Sequence, residues 1–341
     1  MESLLGIDIG THSTKLIEIG IEKGVKTLLA AGSMPTPSKA LSSNISSDLE
    51  SIAYIIKQLI RDTGAKSDKV NIALPESQVF TRVIEVPPLS NRELTSAIQW
   101  EAEQYIPLPL DQVNMDFTVL RKADSTTTGK MEVLLIAAPK VLIERYMTIL
   151  ELADLTPMYA ETEIVASSRA IAASVTNLKN VVLISIGAQT TEITILHGSV
   201  IAFTRSISAG GEALSRALSQ SLDFTVVQAE EYKKTYGLQR GLLEGKLVTA
   251  MEPVMTTILN ELKRAIAFFG EKYASDRVEA IILSGGTAKL PGVVSYITEQ
   301  VAIETQIANP WVGIQKEARF SILSTEGPTF AVAAGLAMRT V

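Results

Sequence analysis

A chain of 341 residues, 46% hydrophobic and 20% charged, has the make-up of a packed globular protein of about two domains. The formal net charge of −6, with no long basic run, argues against nucleic-acid binding. There is no cysteine, so disulfides and thiolate metal sites are excluded, and the two histidines, His12 and His197, make no ligand pair. No apolar stretch reaches the roughly 18–20 residues that span a bilayer. The start MESLLGIDIG lacks the basic region of a signal peptide. The end GLAMRTV holds no basic amphipathic helix. The expectation is a cytoplasmic protein, without direct membrane insertion, that meets a membrane only through a protein partner.

Three strands are predicted first: Leu4–Gly10, Ser13–Ile21 and Lys26–Met34, the last two joined by a turn around Glu22–Gly24. A segment of about seventy residues, Pro87–Pro157, then reads as helix 92–105, strand 113–120, strand 131–138 and helix 141–153. Possible strands at 80–86 and 158–161 flank it, and the polar run 122–130 is its hairpin tip. Pro87, Pro88, Pro107 and Pro109 punctuate it. The opening plan returns at Val181–Gly187, Thr190–Gly198 and Ser199–Ile207. Residues 209–237 read as two helices, the first opened by Gly210-Gly211, and Glu252–Tyr273 as a longer one. A C-terminal helix starts at Thr325 or Glu326, with Pro328 in its first turn, and is apolar enough to be buried.

The two strand–turn–hairpin units share the pattern Ile-x-Ile-Gly, at Ile7-Asp8-Ile9-Gly10 and Ile184-Ser185-Ile186-Gly187. A repeat half a chain apart implies duplication with facing turns. Gly10 and Gly187 let the backbone approach a ligand, and successive N–H groups in a tight turn form an anion site. Hydroxyls of Thr11, Ser13, Thr190 and Thr191 add donors, and Lys15 adds a cation. Two such turns can clamp a polyphosphate. Either turn alone reads more readily as an ordinary glycine hairpin; the pair, at equivalent points of two repeats, favours the ligand site.

GIDIGTHSTKLIEI and VVLISIGAQTTEITIL resemble the two phosphate motifs of the actin, Hsp70 and FtsA superfamily. AIILSGGTAKLPGV resembles its adenosine motif, ETEIVASSRAIA its first connecting helix and FAVAAGLAMR its second. The motifs stand in the superfamily's order and span nearly the whole chain. EAEQYIPLPLDQVNMDF, with the stretches Ile207–Gly237 and Glu261–Gly286, is similar to the PilM family of type IV pilus assembly. The resemblance implies an α/β, actin-like ATPase fold: two duplicated halves around a nucleotide cleft, with an inserted subdomain of the FtsA/PilM type. It divides the chain into 1–86 and 158–180 for the first half, 87–157 for the insert, 181–208 with 275–327 for the second half, 209–274 for its helical lobe, and 328–341 for the last connecting helix.

The resemblance also implies a ligand, ATP or ADP with Mg²⁺. Its expected contacts are Gly10, Thr11, His12 and Lys15 in the first turn, Gly187, Gln189 and Thr190 in the second, Gly210, Gly211, Glu212, Glu230 and Lys233 around the nucleoside, and Gly285 and Gly286 opposite. Asp8 would hold Mg²⁺ through water. Glu163 matches the residue that positions the attacking water; a solvent-facing helix carboxylate is the alternative. Glu161 competes with it. For Glu230 and Lys233 the alternative is a solvated i,i+3 pair. Ser185 stands where the superfamily usually has a second aspartate, so slow or absent hydrolysis is expected, with Ser185→Asp raising it. Glu192 is not assigned the lost role. Implied partners are the cytoplasmic N-terminal peptide of PilN, the pilus motor ATPases and further copies of the chain. An FtsA-like cytoskeletal protein and a small-molecule kinase are the competing readings.

Overall fold

The computed structural model describes residues 2–37, 45–123, 129–274 and 276–339. The first half opens with β1 (Glu2–Ile9), β2 (Ser13–Glu22) and β3 (Val25–Pro35). Lys23 and Gly24, both at positive φ, make the tight β2–β3 turn that matches the strands' twist. Helix α1 (Ser46–Thr63) and β4 (Lys69–Leu74) follow. Buried Leu49, Ile52, Ala53, Ile56 and Leu59 recur at helical spacing, and Gly64 at φ 70° closes α1.

Strand β5 (Phe80–Val86) leads to α2 (Asn91–Tyr105), β6 (Val113–Arg121), β7 (Met131–Pro139) and α3 (Lys140–Leu152). Ser90 and Glu93 form a reciprocal capping box that starts α2. β8 (Thr156–Thr162) and α4 (Glu163–Ala172) return the chain to the first sheet and across to the second half.

The second half repeats the hairpin with β9 (Asn180–Ile186), β10 (Thr191–His197) and β11 (Val200–Ile207). Its turn, Gly198-Ser199, again has two positive φ values. Helices α5 (Gly211–Leu222), α6 (Val226–Tyr236) and α7 (Lys246–Lys272) form a helical lobe. Then come β12 (Ala280–Ser284), α8 (Val293–Val301), β13 (Glu304–Ile307), β14 (Ile314–Gln315), α9 (Leu323–Glu326) and α10 (Ala331–Ala337).

The sheets establish the duplication. One runs β14-β3-β2-β1-β4-β8, the other β11-β10-β9-β12-β13. Setting β14 aside, both have third strand, second, first, then two parallel strands. β4 and β8 add in parallel to β1 as β12 and β13 add to β9. α4 and α10 cross between the halves, and small residues let them touch. A Cβ on Gly335 would lie 1.8 Å from the Ala166 carbonyl oxygen, and one on Gly6 2.1 Å from that of Ala333. Gly335→Ala is therefore expected to destabilise the protein by at least the roughly 1–3 kcal/mol of overpacking. Urea unfolding of that single variant checks it; an unchanged midpoint would contradict the close approach.

Four expectations need correction. Strand β5 pairs with β7, which also pairs with β6, so the insert's sheet begins at Phe80, ahead of residue 87. Helix α3 packs through Leu142, Tyr146, Ile149 and Leu150 into the first half's core with α1, not into the insert. The insert has its own core, where Leu94, Ile98 and Ala102 of α2 meet Val133, Leu135 and Ala137. Helix α7 starts at Lys246, not Glu252, and carries Pro253 inside. That proline forgoes one helical bond to the Thr249 carbonyl, while Met251 and Met255 around it are fully buried. The C-terminal helix is also segmented: α9, a 3₁₀ turn with Pro328, then α10. The expected hairpin tip lies partly outside the described residues.

The other face of β7 docks the insert on the second half. Buried Glu132 accepts a hydrogen bond from Tyr273 Oη at 2.6 Å and pairs with Lys272 Nζ at 2.8 Å. Lys272 also reaches Glu85 at 2.8 Å. Burial alone would lower the Lys272 ammonium, but these carboxylates carry it upward.

Candidate functional site

The two turns are built alike. The Gly10 N–H donates to the Ser13 carbonyl at 3.2 Å, and the Gly187 N–H to that of Thr190 at 2.9 Å. Four residues beyond each glycine stands a fully buried threonine. Thr14 Oγ1 shares a hydrogen bond with Thr36 Oγ1 at 2.9 Å, and Thr191 Oγ1 donates to the Ala209 carbonyl at 2.6 Å. Each threonine ties its turn to the segment after the third strand. The repeat thus extends to Gly-x-x-x-Thr, and Thr191 is a structural anchor, not a free donor to a ligand. Thr11 and His12 are exposed at the first turn's tip, as Gln189 is at the second.

Register shows where the repeats diverge. Asp8 faces Lys15 across β1–β2, and Ser185 faces Glu192 across β9–β10. Lys15 Nζ lies 3.4 Å from Asp8 Oδ2. The second unit has a hydroxyl where the first has an acid, and an acid where the first has a base.

A third wall converges on the second turn. The N–H groups of Gly211 and Glu212 donate to the carbonyls of Gly187 and Ala188 at 2.9 and 2.8 Å. A Cβ on Gly210 would sit 2.7 Å from the Gly187 oxygen. Gly285, at φ +82°, lies against the Ile186 backbone, where a Cβ would come within 2.5 Å of its oxygen. Both positions admit only glycine. Gly286 faces open space.

Lys233 is buried, which corrects the solvated-pair alternative. Its Nζ donates to the Gly211 carbonyl and Ser215 Oγ, each at 2.8 Å, and to Glu230 Oε2 at 2.6 Å. Burial would raise the Glu230 carboxyl, but hydrogen bonds from Lys233 and Ser215 bring it down to about 2. The pair clamps α6 to the start of α5 and fixes the Gly210-Gly211 backbone.

Four carboxyls, Asp8, Glu76, Glu163 and Glu192, are linked through their charges near the base of the turns. Glu163, at the start of α4, accepts the Glu76 N–H at 3.2 Å. Burial first, then the charges of Glu192 and Asp8, raise Glu163 well above the usual range. Burial pushes Glu76 up to about 8 and Glu192 up to about 7. The charge of Asp8, in the first half, bears on Glu163 and on Glu192 of the second half. Glu76 escaped the sequence reading; its signal was Pro75-Glu76 directly after β4, at the end of that strand that lies alongside Asp8's end of β1. Glu161 is removed from contention. Arg169 grips both its oxygens at 2.7 and 2.6 Å and Arg339 adds a bond at 2.9 Å.

Among the described residues no three acidic or histidine side chains are grouped to hold a metal directly. A single carboxylate, Asp8, beside Lys15 fits a cation that keeps most of its water. Ser185→Asp would place a third carboxyl beside Glu192 and Glu163. It is expected to lower the melting temperature by several degrees at pH 8 and by less at pH 5. Thermal unfolding at both pH values checks this. The expected gain in turnover would then require a cation to neutralise the added charge.

The profile of the type IV pilus assembly protein PilM family matches residues 6–341. The chain belongs to that family. A solved PilM–PilN type IV pilus biogenesis complex superposes with a TM-score of 0.86, at 29% identity over 98% of both chains. The cell division protein FtsA of Bacillus subtilis (strain 168) is 22% identical, covering 92% of this chain and 80% of its own. The ethanolamine utilization protein EutJ from Carboxydothermus hydrogenoformans shares the fold, with TM-score 0.59 and 17% identity over 99% and 90% of the chains. So does MreB 5 of Spiroplasma citri bound to AMPPNP, with TM-score 0.54 and 12% identity over 98% and 95%. The expected actin-like fold is thereby established. Among the described residues no helix is long and apolar enough to cross a membrane.

Proposed function

We propose that the chain is an ATP- or ADP-binding scaffold of type IV pilus assembly. The observation that carries this is the pair of glycine turns, each closed by the same backbone hydrogen bond. Gly10, Thr11, His12, Lys15, Gly187, Gln189 and Thr190 contact the phosphates in this reading. Gly210, Gly211, Glu212, Glu230, Lys233, Gly285 and Gly286 frame the nucleoside. When bound, Mg²⁺ supplies charge neutralisation at the phosphates, with Asp8 holding it through water. Glu163 positions a water, and turnover lies far below the roughly 1–100 per second of a kinase. The supporting relative is MreB 5, solved with AMPPNP on the same fold. Calorimetry with Mg-ATP and Mg-ADP tests the reading, and absence of binding by the intact, folded chain would reject it.

The partner in this reading is the cytoplasmic N-terminal peptide of PilN, seated between the insert and the first half. The solved PilM–PilN relative supports it, as does the exposure of Trp100 on α2, 74% accessible. The contact brings the protein to the inner membrane, next to the motor ATPases and further copies of the chain. A short peptide groove implies roughly micromolar affinity, about −8 kcal/mol. Because α3 belongs to the first half's core, the insert cannot be excised as residues 87–157. Titration of a synthetic PilN N-terminal peptide onto the intact chain, and onto Trp100→Ala, is the measurement. No detectable binding to the intact chain would count against this partner.

A further inference from the structure

Beneath Glu163 lies a pocket of about 10 Å³, room for a single water. Its polar walls are Glu163 and Ser167 from α4, Ser185 from β9, and Glu192 and Thr194 from β10; two aliphatic side chains complete it. Glu192 is 5% exposed, and its Oε1 is buried with no hydrogen-bond partner among the described residues. Such an atom is costly to leave unpaired. Glu163 faces the same space. Glu163 makes no hydrogen bond to that oxygen, so the Glu192 acceptor still needs a donor. A water, with two O–H groups, can donate one to each and accept from a hydroxyl such as that of Ser185. The space is the right size only because residue 185 is small; an aspartate across from Glu192 would extend into it.

We infer that Glu192 is a positioning residue: it holds one ordered water in this pocket, and that water fixes the Glu163 carboxyl at the cleft. The consequence for turnover rests on the nucleotide reading above; the water and the orientation of Glu163 do not. Glu192 therefore acts through Glu163, from the strand opposite the position where a carboxylate is missing.

The test is a set of high-resolution crystal structures of the intact nucleotide-free protein, of Glu192→Gln and of Glu192→Leu. The wild type should show one water within about 2.6–3.2 Å of both carboxyls. Glu192→Gln, whose amide still accepts, should keep the water and the Glu163 rotamer. Glu192→Leu should expel the water and turn Glu163. Should that variant not fold, Ser185→Val fills the pocket from β9 and should have the same effect. In steady-state kinetics the leucine variant should lower kcat roughly tenfold, with KM changed less than about threefold and the glutamine variant near wild type. A dry pocket or a cation at that place in the wild type overturns the inference. So does an unmoved Glu163 once the water is gone. Failure of the wild type to bind nucleotide would instead reject the proposed function, while these structures still decide the role of Glu192.

Discussion

Gly286→Asp is expected to abolish nucleotide binding while leaving the fold intact. Gly286 is exposed in the loop after β12, and a Cβ there would meet nothing within 4 Å. Its φ lies outside the left-handed region, so an aspartate is sterically acceptable. The new carboxylate would face a polyphosphate-bearing ligand. Two like charges 4 Å apart repel by about 4 kcal/mol at an effective dielectric of 20, so an affinity loss of roughly 100- to 1000-fold follows. Gly10→Val tests the same site by another route. Its Cβ would stand 2.9 Å from the Ser13 carbonyl oxygen and distort the turn itself. Isothermal calorimetry with Mg-ATP, alongside circular dichroism for the fold, separates the two effects. An affinity for Gly286→Asp within threefold of wild type would remove this loop from the binding site.

The nucleotide-free protein is expected to be markedly more stable at pH 5 than at pH 8. Burial raises Glu76 to about 8 and Glu192 to about 7, and Glu163 is raised well above its ordinary value. The folded state then keeps protons that the unfolded chain releases above about pH 4.5. The stabilisation is complete below that pH and is lost as pH rises through 7 to 8. One pKa unit is about 1.4 kcal/mol, so the total loss is on the order of several kcal/mol. His197, which burial holds below its usual range, works in the opposite direction near pH 6, one group against three. Glu85 and Glu230, both lowered, change stability only at more acidic pH. Glu76→Gln keeps a similar shape and removes the carboxyl that burial raises to about 8. It should raise stability at pH 8 with little change at pH 5. Urea unfolding at pH 5, 6.5 and 8 measures both effects. A flat profile for the wild type would mean that these acids reach solvent in the folded protein.

The phosphate turns were legible because their information is local. A glycine after a buried strand and before a hairpin specifies a turn by backbone sterics alone, and the same spacing twice specifies the duplication. The insert's boundary was not legible: β5 is as compatible with the large sheet as with the small one, and only its pairing with β7 decides. The same holds for α3, whose apolar face was visible but whose partner, α1, lies some ninety residues earlier. Lys233 could be read as half of a solvated pair, and Glu161 as a rival of Glu163, because sequence carries no burial for a single polar residue. Three acceptors surrounding one ammonium, and two arginines closing on one carboxylate, are arrangements made by helices packed from distant parts of the chain. The acids at the floor of the cleft follow the same rule. Asp8 was read from its motif, but Glu76 and Glu192 gained their character from desolvation, which exists only once both halves close around them.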